Sequence, residues 1–451
     1  MSPEILGLVL LFALISCIFI GFPIAFTLII LAFVFGTIGF GANLVSFLMF
    51  FQTWQIMKEE TLAAVPLFIF MGHILEQAGL MERLFLSFQF ILARVKGSLF
   101  LGVLFVSTIF ATATGIIGAS VTVMGLLAAP AMMRSNYNAA LSAGVITAGG
   151  CLGILIPPSV LLVVLGPVVG VSVVQLFAAA LIPGLILSGL YFGYTFIRCQ
   201  INPSLGPVLP PEQRPASVWV MIREFFSGIV PLAVVVFAAL GSIIAGLATP
   251  TEAAAMAAVG ALLLALLYGR LSFTMLREAA LSTLGTSSLV LFLAVASNIY
   301  GSVFARLGTA TLITDTLLAL PVSPLAMIVI LMVVIFILGW PLEWPAIVLI
   351  FVPIFLPVVQ AISDKLIPGV EPQQVLVWFC TLVAVNLQTA FLSPPVAMAA
   401  YYLKGVAPDW DLADIYNGMM QFMVLQCIGL LIVLFYPETA LWLPRVIFGG
   451  G

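Results

Sequence analysis

The amino-acid sequence predicts an all-α polytopic membrane protein, and three observations carry that reading. Of its 451 residues, 63% are apolar and 7% charged, and mean hydropathy is +1.31; an ordinary soluble domain is about 25% charged. Apolar stretches of roughly 17 to 25 residues, each able to cross a hydrocarbon core of about 30 Å, recur from Glu4 to Trp442 and predict roughly ten or more crossings. Two Pro-Pro pairs, Pro157-Pro158 and Pro394-Pro395, interrupt apolar segments that otherwise read as helix. Lipid satisfies no backbone hydrogen bond and a membrane strand would alternate polar and apolar residues, so the crossings are helices.

Several classes fall away early. The start, Met1-Ser-Pro-Glu4, lacks the basic n-region of a cleaved signal peptide and reads as part of the mature protein. Five cysteines (Cys17, Cys151, Cys199, Cys380, Cys427) form no C-x-x-C pair and have one histidine, His73, to join them. That argues against a structural zinc site and for buried small thiols. A net charge of −3 without long basic runs gives no footprint for nucleic acid. The surrounding solvent is membrane lipid.

The longest polar stretch, Arg198 to Glu224, divides the chain near its midpoint. A first repeat is expected over 1–200, with helices over about 1–60, a hairpin over about 98–133 and a broken helix over about 136–170. A linker on the cytoplasmic side covers 201–223. A second repeat covers 224–451, with a hairpin over about 323–361 and a broken helix over about 373–403. Val218 to Phe226 mixes aromatic, apolar and charged residues as a helix lying on the interface would. Both halves run in one order: an apolar segment, a Gly-rich interruption (Thr114 to Ser120, then Gly339 to Glu343), another apolar segment, and a helix containing Pro-Pro. Lys and Arg collect on the cytoplasmic side of short loops. Counted that way, ten basic residues lie inside and four (Lys58, Arg306, Lys365, Arg445) outside. The repeats are therefore inverted, with both termini outside.

Gly115, Gly118, Gly339 and Pro341 favour tight turns within the interrupted segments, which makes them re-entrant hairpins. Non-helical backbone at membrane depth must be buried in protein or line a wet cavity. Pro157 lacks the N–H that would bond the Gly153 oxygen, and Pro394 likewise frees that of Ala390. Thr147, Ser159, Asn386, Gln388, Thr389 and Ser393 add neutral oxygens suited to a hard cation such as sodium. Helix N-termini after Pro158 and Pro395 favour an anion. No arginine lies in these motifs, so carboxylate binding leans on the dipoles or on bound cations. The plainer alternative is that each Pro-Pro only kinks a helix.

Glu343 either couples transport to protons or cations or caps the second arm of its hairpin. Glu252, in Thr249-Pro-Thr-Glu252, reads as part of a capping box. His73 reads as a packed residue.

These residues together resemble the large membrane subunit of tripartite ATP-independent periplasmic (TRAP) transporters, the DctM-like family. The resemblance spans essentially the whole chain, and Val65 to Gly72, Gly153 to Ser159, Ala248 to Ala254 and Leu392 to Pro395 carry it. It implies a sodium-driven elevator-type transporter in the bacterial inner membrane, without a catalytic site or cofactor, taking up a small organic acid. A small membrane subunit (DctQ-like) and a periplasmic substrate-binding protein complete the assembly; this chain lacks the extra N-terminal spans of a fused small subunit. By position, one sodium lies among Thr114, Gly115, Ser120, Gly153, Ile156 and Pro158. A second lies among Gly339, Glu343, Ala390, Ser393 and Pro395. Ser120, Ser159, Asn386, Gln388 and Thr389 are the expected substrate contacts. Ile116 and Ile117 stand where serines are common, so the first tip has fewer side-chain ligands.

A channel is disfavoured because hairpins backed by dead-end polar pockets suit occlusion better than a pore lining. A membrane-embedded enzyme is disfavoured because the chain has no H-E-x-x-H, no G-x-S-x-G and no facing carboxylate dyad.

Overall fold

A computed structural model describes residues 2–114, 117–208, 218–394 and 397–448, and among these the regular structure is helical, with no strand. Eight helices are long and apolar enough to cross a membrane, or nine if Glu60–Gln77 and Leu80–Gln89, bent by 58°, count as one span. Further apolar helices are shorter. Ile24–Phe40, Ser98–Phe110, Ala139–Ile154, Val160–Val169 and Pro324–Leu338 are apolar helices of 10 to 17 residues.

The helices pack in two groups. In the first, the long helix Phe273–Arg306 lies against Ile24–Phe40, Ala42–Met57 and Ala64–Gln77, and Ala64–Gln77 also packs on Pro250–Leu267. Its 34 residues make a rod of about 51 Å at about 1.5 Å per residue, longer than a core of about 30 Å. Pro250–Leu267 begins with the expected capping box. Thr249 N donates to Glu252 Oε2 at 2.8 Å, and Glu252 N donates to Thr249 Oγ1 at 3.3 Å. Thr251 Oγ1 then ties this helix start to the Glu60 carbonyl at 3.0 Å.

In the second group, Ala139–Cys151 and Leu412–Phe435 touch backbone to backbone. A Cβ on Gly418 would fall 1.8 Å from the Ala140 oxygen, and one on Gly144 would fall 2.6 Å from the Gly418 oxygen. Small residues permit this approach between membrane helices. Ser98–Thr114 and Ile117–Arg134 pack on each other and on Ala139–Cys151. Pro324–Leu338 and Val352–Leu366 likewise pack on Pro372–Ala390. From Val375 to Ala390 every residue is buried, as expected for a helix apolar on all faces.

One expectation changes. Val218 to Phe226 is the first part of the continuous helix Val218–Ile244, not a separate helix at the interface, because the apolar sequence runs on through Pro231 without a stop. Residues 209–217 of the expected linker, with Pro210, Pro211, Glu212, Arg214 and Pro215, lie outside the described residues.

Candidate functional site

Pro157-Pro158 and Pro394 each follow closely on the end of a buried helix inside the second group. Ala139–Cys151 starts where the Asn138 side chain accepts from Leu141 N at 2.9 Å, passes into the 3-10 turn Leu152–Ile154, and resumes as Val160–Val169. Among the described residues no donor reaches the Gly153 oxygen, as expected with proline at 157. Ile156 and Pro158 are buried beside it. Ser159 Oγ donates to the Ile154 oxygen, so it does not cap the helix that follows.

The second break follows Pro372–Ala390, with helix resuming at Met398–Val406. No described donor reaches the Ala390 oxygen. Thr389 Oγ1 donates to the Asn386 carbonyl and Ser393 Oγ to the Thr389 carbonyl, both at 2.7 Å. Asn386 Nδ2 reaches across to the Met332 oxygen at 2.7 Å, pinning this helix to the first arm of the second hairpin. Asn386 Oδ1 and both amide atoms of Gln388 are buried with no protein partner. Leaving such a group unpaired costs about 1–3 kcal/mol, so their presence asks for a ligand or water.

The hairpins meet these breaks. A Cβ on Gly149 would lie 2.8 Å from Ser107 Oγ, and one on Gly150 would lie 2.5 Å from Val121 Cγ2, so both arms of the first hairpin press on its own broken helix. Ser120 lies within the helical second arm and is buried. Gly118 faces the Tyr402 ring, so the same hairpin also meets the helix beyond the other break. Gly339, at the second tip, lies against Ala390. Gly339, Glu343 and Ala390 share a pocket of about 230 Å³ with Gly21 and Phe22 of the first group.

A cavity of about 660 Å³ collects these parts. Ile117 and Gly118 enter from one hairpin, Glu343 and Trp344 from the other, and Val160 and Met398 from the resumed helices. The facing wall belongs to the first group: Ile69, His73 and Glu76 from one helix, Ser282 and Thr286 from the long one. The Glu343 side chain caps nothing. His73 Nδ1 stands 3.5 Å from Glu76 Oε2, and His73 Nε2 is buried without a partner.

Ser159, Ser120, Asn386, Gln388, Thr389 and Ser393 do not line this cavity. The side chain of Thr114, together with Gly115 and Pro395, lies outside the described residues. Sequence reasoning passed over Glu76, Ser282, Thr286 and Tyr402 and read His73 as packing. Two signals were present: a His-x-x-Glu pair on one face of an apolar helix, and a Ser-x-x-Gly-Thr step in another. Among the described residues no three of His, Cys, Asp or Glu gather as metal ligands.

Comparison with known proteins decides the family. The model for the DctM component of tripartite ATP-independent periplasmic transporters matches residues 11–439. The chain belongs to the DctM family. The sialic acid TRAP transporter large permease SiaM of Vibrio cholerae is 28% identical over 98% of this chain and 99% of its own length. The C4-dicarboxylate large permease DctM of Rhodobacter capsulatus is 27% identical over 98% and 99%. The 2,3-diketo-L-gulonate large permease YiaN of Escherichia coli is 27% identical over 96% and 97%. Among solved structures, the YdaH transporter of Alcanivorax borkumensis superposes with a TM-score of 0.65 over 98% of this chain and 100% of that one, at 12% identity. That likeness shows the fold alone. This DctM chain is thus a multi-pass inner-membrane permease subunit of a tripartite transporter, not an enzyme.

Proposed function

We infer that this DctM chain carries a small organic acid into the cytoplasm, driven by sodium, through an elevator movement of the second helix group against the first. Its assembly contains a small membrane subunit and a periplasmic substrate-binding protein. One observation carries the reading: a single cavity joins both hairpin tips and both resumed helices to the wall of the first group.

A second cavity of about 540 Å³ lies farther along the same long helix. The first cavity meets that helix from Ser282 to Val290, and the second meets it from Ala294 to Ala305. Thr286 and Asn298 are therefore separated by about 18 Å of helix rise. Arg277 stands at the end that the charge rule assigns to the cytoplasm. The site as seen here accordingly faces inward, and the second cavity is the space into which the moving group slides outward.

Sodium is read as the coupling ion from the donor set. The Gly153 and Ala390 oxygens, with the Ser393 hydroxyl and the Asn386 and Gln388 amides near the second, are neutral oxygens suited to a hard cation. Two such sites place positive charge beside the helix N-termini that receive the acid.

Paired cysteines test the movement in a variant whose five native cysteines are replaced. Trp344→Cys with Thr286→Cys probes the inward position, and Trp344→Cys with Asn298→Cys the outward one. Both pairs are expected to cross-link in native membranes, the second favoured by outward-trapping conditions. Cross-linking of the first pair alone under every condition would contradict an elevator.

A further inference from the structure

Taking the 660 Å³ cavity as the substrate site, the charge around it narrows what the substrate is. Val160 and Met398, the first residues of two resumed helices, both line it. Neither helix start is capped by a side chain. The first N–H groups at Val160 have no described acceptor, whereas beyond Met398 the Ala399 N–H already donates to the Phe391 oxygen at 3.3 Å, so the Val160 end is the stronger carboxylate seat. Across from them the wall turns acidic. Glu343 comes from the hairpin tip and Glu76 from the first group, and no lysine or arginine is among the described lining residues. His73 is the lining side chain able to carry positive charge, and its Nδ1 already faces Glu76. Glu343 makes no ion pair among the described residues. Trp344 and Tyr402 stand in the same wall, and aromatic faces attract ammonium groups.

A dicarboxylate would satisfy a helix N-terminus with one end and bring its other end against the like charges of Glu343 and Glu76. A molecule with one carboxylate and one cationic nitrogen satisfies both ends. We propose that this DctM chain carries a zwitterion, an amino- or ammonium-bearing acid whose carboxylate lies at the Val160 and Met398 helix starts and whose nitrogen is held by Glu343 between Trp344 and Tyr402. Glu76 adds to that hold while the site faces Ser282 and Thr286. The C4-dicarboxylates named for the Rhodobacter capsulatus relative are the contrasting class.

The test uses the full chain with its small subunit in nanodiscs, in sodium, and reads melting temperature against matched acids. Glycine betaine and 4-aminobutyrate are the zwitterions; butyrate and succinate are the anions. The zwitterions are expected to stabilise the complex and the anions not to. Glu343→Gln should weaken the zwitterions by about tenfold or more, the scale of one charge-assisted bond. Glu343→Asp should retain them, and Glu343→Lys should shift the preference to succinate. Equal or stronger stabilisation by the anions, or an unchanged ranking in Glu343→Gln, overturns the zwitterion assignment while sodium-dependent transport stands. No sodium-dependent response to any of the acids overturns both.

Discussion

Gly339 lies so close to Ala390 that a Cβ added to the glycine would stand 2.9 Å from the Ala390 Cβ and 3.2 Å from the Phe336 oxygen. A hairpin tip thus rests on the residue whose carbonyl the second Pro-Pro pair leaves without a donor. Gly339→Ala has to lift the tip or shift the broken helix. The concentration of sodium giving half-maximal uptake should rise several-fold while insertion is unchanged. Gly189→Ala, where nothing lies within 4 Å, should leave that concentration where it is.

The two prolines offer a paired test. Replacing Pro157 or Pro394 by alanine returns a backbone N–H opposite the Gly153 or Ala390 oxygen and lets helix continue. Each variant should insert normally and lose sodium dependence at its own site, read as a lower slope of uptake against sodium. Unchanged slopes in both would reduce the Pro-Pro pairs to kinks.

Gln388 should separate stability from function. Its amide is fully buried with neither atom paired, so Gln388→Met, close to it in volume, removes about 1–3 kcal/mol of unsatisfied polarity. Thermal unfolding in detergent should occur at a higher temperature, while sodium-dependent uptake falls steeply. Such a trade is typical of groups kept for a site. Unaltered uptake would place the amide outside the site.

Gly418→Ala addresses the frame that holds both breaks. The new methyl would lie 1.8 Å from the Ala140 oxygen and 2.7 Å from Gly144 N, both backbone atoms that cannot swing aside. Overpacking of this kind costs about 1–3 kcal/mol, so the melting temperature should drop clearly. Gly189→Ala should hold it or raise it slightly, because alanine is the better helix former by about 0.5–1 kcal/mol.

Much of this was legible in the sequence because membrane helices obey strong local rules. Apolar length marked the long helices, Thr249 and Glu252 announced their capping box, and two prolines located two carbonyls without donors. What was not legible is which polar groups share a cavity. Glu76 and Thr286 are far apart in sequence and gain meaning only when two helices turn them toward one space. Asn386 illustrates the reverse. Its position in a broken helix suggested a substrate contact; its Nδ2 also reaches the Met332 oxygen across a helix interface, a role the sequence does not show, while its Oδ1 stays without a protein partner. Nor does apolar length alone distinguish a full span from one arm of a hairpin. The start of Val218–Ile244 was misread because a mixed aromatic and charged segment fits an interfacial helix as well as the first turns of a long one.

Uptake into proteoliposomes bearing both membrane subunits, with the binding protein and labelled acid outside, tests the central claim most directly. Accumulation is expected under an inward sodium gradient, rising with sodium at a slope of about two if both sites fill, and absent when potassium or choline replaces sodium. Equal accumulation without sodium, or flux that ignores the binding protein, would contradict a sodium-coupled carrier.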